Sequence, residues 1–179
     1  MMFLKKVLSR HSAENILSGK SSKKNILKKV ELVYLPYYLF KILLSTERRE
    51  RKEVCISADG ISGNFSFFTA EKIDFTEKPE GDSFDFVISR KEAEKKALEE
   101  YRWLLIKHSF TKSRLPRLET ISETSLIYYP YWVGYYERGG RYDFRALDGI
   151  SGEFGGIRMR EVFLSAFRQT ARPGEDLSR

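Results

Sequence analysis

The chain carries three blocks twice, in the same order. Val7-Leu8-Ser9-Arg10, with Ala13-Glu14 after it, returns as Val87-Ile88-Ser89-Arg90 with Ala93-Glu94. Tyr34-Leu35-Pro36-Tyr37-Tyr38 returns as Tyr128-Tyr129-Pro130-Tyr131-Trp132. Asp59-Gly60-Ile61-Ser62-Gly63-Asn64-Phe65 returns as Asp148-Gly149-Ile150-Ser151-Gly152-Glu153-Phe154. A repeat of this length constrains the architecture before any propensity argument is made. The spacings differ only between the blocks: Pro36 to Asp59 is 23 residues against 18 from Pro130 to Asp148, and Arg10 to Pro36 is 26 against 40 from Arg90 to Pro130. Such differences belong in turns and loops, where a duplicated fold tolerates insertions.

The second copy reads more clearly. Phe84 to Ile88 is a short β-prone run. Ser89-Arg90-Lys91-Glu92 then has the Ser-x-x-Glu form of a capping box, which satisfies the free amides of a helix start. Ala93, Ala97, Tyr101, Leu104, Leu105 and His108 follow at helical spacing, so the pattern predicts an amphipathic helix from 90 to 108. Residues 125–137 predict an aromatic strand. Arg138-Gly139-Gly140 predicts a turn, and Tyr142, Phe144 and Ala146 alternate with charged residues as in a half-buried strand. A last strand is expected from Glu153 and a closing helix over 158–169. The first copy predicts a helix over 9–18, a polar lysine-rich connection over 20–29, an aromatic strand over 32–42, a charged turn over 46–52 and a strand over 53–58. Thr76 to Asp82 is a loop by composition.

The expected fold class is therefore α+β: two tandem repeats, each a helix followed by a three-stranded antiparallel meander, packed together. The domain reading is a first repeat over 1–76, a linker over 77–82, a second repeat over 83–169 and a tail over 170–179.

Charge is unevenly placed. The first thirty residues hold eight basic side chains and one acid, so the whole net charge of +7 sits there and the remainder is neutral. A basic stripe attracts polyanions or anionic lipid at long range, and salt screens it. Lys20, Lys23, Lys24, Lys28 and Lys29 are the candidate contacts; a solvated face is the alternative. One cysteine, Cys55, forbids an intramolecular disulfide, and two separated histidines, His11 and His108, do not supply a common zinc site. No cofactor or metal is expected. No apolar run reaches the length of a signal core or a membrane span. A reducing, cytoplasmic location fits this inventory.

Two features carry most of the candidate chemistry. The aromatic strand residues Tyr37, Tyr38, Tyr131 and Trp132 either line a binding groove, offering flat apolar surface with a polar tip, or pack as core. The Asp-Gly-Ile-Ser-Gly segments resemble cation or phosphate loops. They lack both the ligand density of the first and the lysine of the second, and their place at a strand junction favours a structural turn. No nucleophile has a base at a usable spacing, so no catalytic residue is expected and the chain reads as a non-enzyme.

Val87-Ile88-Ser89-Arg90-Lys91-Glu92-Ala93 resembles the "Ile-Ser-x-x-x-Ala" strand-to-helix entry of PepSY domains. Asp148-Gly149-Ile150-Ser151-Gly152-Glu153 resembles that family's "Asp-x-x-Thr-Gly-Glu" turn. Both copies fit, so the resemblance covers about residues 4–160. The resemblance implies a small non-catalytic α+β module, regulatory or inhibitory towards peptidases. The chain departs from it in its Tyr-x-Pro-Tyr strand, in serine for threonine, and in having no envelope-targeting segment. The expected function is a binding or regulatory module whose partner is another protein or peptide. The alternative is a polyanion-binding protein, for nucleic acid or an anionic surface, acting through the basic first segment.

Overall fold

The computed structural model describes residues 2–23, 25–45, 51–68, 74–77, 79–109 and 117–170. The elements follow in chain order as β1 (Met2–Leu4), α1 (Arg10–Ser18), β2 (Ile26–Ser45), β3 (Arg51–Asp59), β4 (Phe65–Phe67), β5 (Phe75–Thr76), β6 (Asp82–Ser83), α2 (Arg90–Ser109), β7 (Arg117–Arg138), β8 (Arg141–Asp148) and α3 (Ile157–Thr170).

These elements correct the expected fold class. Among the described residues the chain forms a large mixed sheet of eight strands with three helices, not two helix-plus-meander repeats. The sheet order is β4-β3-β2-β7-β1-β5, with β6 on β2 and β8 on β7. β2 pairs β3 antiparallel but β6 parallel. The physical reason lies in where the helical arms dock. The chain divides into two compact units, and neither is a contiguous half. Unit 1 is Met1–Met2, Pro36–Ile73 and Asp85–Ile127, and unit 2 is Phe3–Leu35, Asp74–Phe84 and Tyr128–Arg179. Unit 1 thus joins the helix of the second copy to the strands of the first. Unit 2 joins the helix of the first copy to the hairpin of the second.

In unit 1, α2 lies on β3 and β4. Ala93, Ala97 and Tyr101 repeat every four residues on its inner face and close a core with Tyr38, Phe40, Ile42, Leu44, Ile56 and Ala58. The Ser89 hydroxyl accepts from the Glu92 amide at 3.3 Å, the capping the sequence predicts. The outer face is less polar than expected, because Trp103 and Ile106 are exposed there.

In unit 2, α1 and α3 both pack on β8. The Ser9 hydroxyl caps α1 through the Ser12 amide at 3.2 Å, and Ala13 and Leu17 are fully buried one turn apart. Val162, Phe163 and Ala166 are the buried face of α3, and Phe163 and Phe167 join an aromatic cluster with Phe84, Tyr131 and Phe144. The turn between β7 and β8 has Gly139 at φ 57° and Gly140 at φ 77°, a left-handed pair that glycine adopts without strain.

Several local expectations change. β2 begins at Ile26, so Lys28 and Lys29 lie in a strand and not in a polar connection. No strand starts at Glu153; Phe154 makes a single bridge to Leu147. Val7-Leu8 and Val87-Ile88 lie outside the strands. The charged turn over 46–52 is described only from Arg51, and the tail after Thr170, with Lys24 and Lys78, lies outside the described residues.

Candidate functional site

The repeated blocks meet one another: each turn glycine bonds the proline of its own copy and the arm of the other. In unit 1 the Gly60 amide donates to the Pro36 carbonyl at 2.7 Å, and the Gly60 carbonyl accepts from Val87 at 2.8 Å and Ile88 at 3.1 Å. In unit 2 the Gly149 amide donates to Pro130 at 3.0 Å, and its carbonyl accepts from Val7 at 3.0 Å and Leu8 at 2.9 Å. The strand aromatics complete the pattern. Tyr38 Oη donates to the Ile88 carbonyl at 2.9 Å, and Trp132 Nε1 donates to the Leu8 carbonyl at 3.0 Å. The first helical arginine also repeats its contact six residues before the proline. Arg90 Nη2 reaches Thr124 Oγ1 at 2.9 Å, and Arg10 Nη2 reaches the Val30 carbonyl at 3.2 Å.

Tyr37, Tyr38, Tyr131 and Trp132 are all buried, between 3% and 7% exposed. They are packed inside their units, and the polar tips of Tyr38 and Trp132 are spent on the arm carbonyls. Burial raises the Tyr38 hydroxyl above its ordinary value, which keeps it a neutral donor. The two aspartates hold their turns. Asp59 accepts from the amides of Ile61, Ser62 and Asn64 at 3.0, 2.6 and 2.7 Å, and Asp148 from Ile150 and Ser151 at 2.8 and 2.9 Å. Tyr129 adds a hydroxyl to Asp148 at 2.9 Å. Each carboxylate therefore closes its own turn through backbone amides, as an Asx turn does.

The described lysines differ in their surroundings. Lys28 pairs with Glu137 at 2.7 Å, and that hydrogen bond raises the Lys28 ammonium above its ordinary value. Lys29 pairs with Glu31. Lys20 sits over the Phe154 ring, 5.2 Å from its centroid. Lys23 is exposed, and Lys24 lies outside the described residues.

What the sequence does not announce is a cleft of about 660 Å3 in unit 2, lined by residues 6–10, 29–32 and 80–82 and by Trp132. Three chain segments build it, which is why no local pattern marks it. The segment leading into α1 forms one wall, the edge of β2 another, and the residues before β6 the third. Gly81 is required there, because a Cβ on it would come within 2.0 Å of the Leu32 carbonyl oxygen. Its charges largely answer one another: Lys6 contacts Glu80 and Lys29 contacts Glu31. Arg10 binds Glu14 at 3.0 Å, outside the cleft. Burial, the Glu31 carboxylate and Asp82 hold the Tyr135 hydroxyl well above the ordinary tyrosine range.

Among the described residues no group of three or more His, Cys, Asp or Glu could hold a metal ion. No described helix is long and apolar enough to cross a membrane. Comparisons with protein-family models, curated proteins and solved structures find no match.

Proposed function

We propose that the chain is a non-catalytic binding or regulatory module that meets its partner, another protein or peptide, at the cleft of unit 2. The observation that carries this reading is the cleft itself: a concavity of about 660 Å3, within the size range of ligand sites, in which Lys6 and Lys29 stand in charge pairs with Glu80 and Glu31 and no nucleophile-base couple lies among the lining residues. A regulatory role towards peptidases, in the manner of PepSY modules, and a cytoplasmic location accord with it. Polyanion capture is the weaker reading, since Lys28 and Lys29 are each engaged by a carboxylate.

The test is affinity purification with the full chain and with Arg10→Glu, followed by calorimetry on the purified partner. Binding that Arg10→Glu loses, at an unchanged denaturation midpoint, supports the reading. Substrate turnover by the pure chain that Arg10→Glu abolishes would overturn it. Steeply salt-dependent oligonucleotide binding lost in Lys28→Ala with Lys29→Ala would favour the polyanion alternative.

A further inference from the structure

One edge of β2 stops being covered part of the way along unit 2. Backbone groups of alternate residues point to the same edge of a strand. On the edge away from β7, the Tyr34 carbonyl takes the Phe84 amide at 3.0 Å, β6 pairs at Val33 and Tyr34, and Gly81 lies against the Leu32 carbonyl. The next carbonyl of the same parity, Val30, receives a side chain, Arg10 Nη2 at 3.2 Å, and no strand amide among the described residues. Among the described residues no strand pairs with this edge before Val33, although β2 runs back to Ile26. The cleft opens where the lane of β6 ends.

We propose that this uncovered edge receives an extended peptide segment of another protein, continuing the lane of β6 and carrying an acidic side chain towards Arg10. The proposal rests on the binding-module reading and names its partner class. An uncovered edge is a template for strand addition, in which main-chain bonds supply affinity and flanking side chains supply choice. The lane is already a strand-binding surface, since β6 occupies its other end. An incoming amide takes the Val30 carbonyl and displaces the guanidinium. Lys6 and Lys29 are held by Glu80 and Glu31, whereas Arg10 binds Glu14 outside the cleft and, among the described residues, has no carboxylate partner inside it. Arg10 keeps Nε on Glu14, and the Nη2 freed from the Val30 carbonyl takes a carboxylate on the peptide, a charge-assisted bond of the strong kind.

The experiment uses the full chain and short labelled peptides of alternating threonine and valine with one central aspartate, read by fluorescence anisotropy and by amide chemical-shift mapping. Saturable binding is expected, with shifts at residues 28–32. A central lysine should weaken it about tenfold, and Arg10→Ala should erase that difference. N-methylation of one alternate set of peptide amides should abolish binding, and of the other set should leave it. Binding indifferent to which set is methylated, or shifts confined to other residues, overturns the edge proposal while leaving a binding module in place. No saturable binding by any of the peptides overturns the edge proposal, and the partner purification then decides the module reading separately.

Discussion

Trp132 Nε1 donates to the Leu8 carbonyl at 3.0 Å, tying an aromatic of the second copy to the arm of the first. Tyr38 and Ile88 repeat the bond in the other direction, at 2.9 Å. The arms are thus locked by a side chain whose indole or phenol is otherwise core. Trp132→Phe keeps most of the ring and leaves the Leu8 carbonyl without its donor. It should cost about 1–3 kcal/mol, and Tyr38→Phe about 1 kcal/mol, by urea denaturation. A variant as stable as the parent would show that water replaces the donor.

The two turn glycines should differ in their tolerance of a methyl group. A Cβ at Gly149 would lie 2.8 Å from the Pro130 carbonyl oxygen, which is backbone and cannot step aside. At Gly60 the nearest obstacle, at 2.6 Å, is the Phe86 ring, a side chain. Gly149→Ala should cost roughly 2–3 kcal/mol and Gly60→Ala less, whereas Gly139→Ala, with open space around it, should cost about 1 kcal/mol through its φ alone. Thermal denaturation of the three variants gives the order directly.

Cutting the chain between its two copies tests the exchange of arms. Residues 1–76 alone lack the helix that covers β3 and β4, and residues 77–179 alone lack α1, which packs on β8. Neither fragment should show a cooperative unfolding transition by circular dichroism at low concentration. The two mixed should recover one, because exposed apolar faces of this kind do not fold unaided. Two independently cooperative fragments would contradict the partition.

Stability should fall at alkaline pH. Burial raises the hydroxyls of Tyr34, Tyr38, Tyr101 and Tyr136 above 10.0, and burial with Glu31 raises Tyr135 further. Above that pH the unfolded chain releases protons that the folded chain retains, so the slope of stability against pH is negative. The contribution is whole below pH 10 and is lost as pH rises through the folded values. Tyrosinate absorbance should lag behind that of the denatured chain, then rise together with unfolding. Coincident titration of folded and denatured samples would refute it.

The helices were legible because their signals are local. Ser9 and Ser89 mark the starts, and Ala93, Ala97 and Tyr101 mark the buried face. The pairing of arm with strand was not legible. Gly60 and Gly149 sit in the same motif, so nothing in Val87 or Val7 says which glycine carbonyl it will meet; only the folded chain makes that choice. The early start of β2 was hidden by Lys28 and Lys29, whose charges break the apolar pattern and are answered by Glu137 and Glu31. The sequence left the aromatic strand residues open between a groove and a core; the structure buries all four, and Tyr38 and Trp132 bond the arms. The cleft drew on residues 6–10, 29–32 and 80–82, and separations of that size leave no spacing to read.

The crossed bonds of Gly60 and Gly149 bear on how such a chain can change over generations. A substitution in the turn of one copy reaches the arm of the other as well as the proline strand of its own copy. The halves of the gene are therefore not free to drift apart as two separate designs. Among descendants, compensating changes should link residues 87 and 88 with residue 60, and residues 7 and 8 with residue 149, so that each half records the history of its twin.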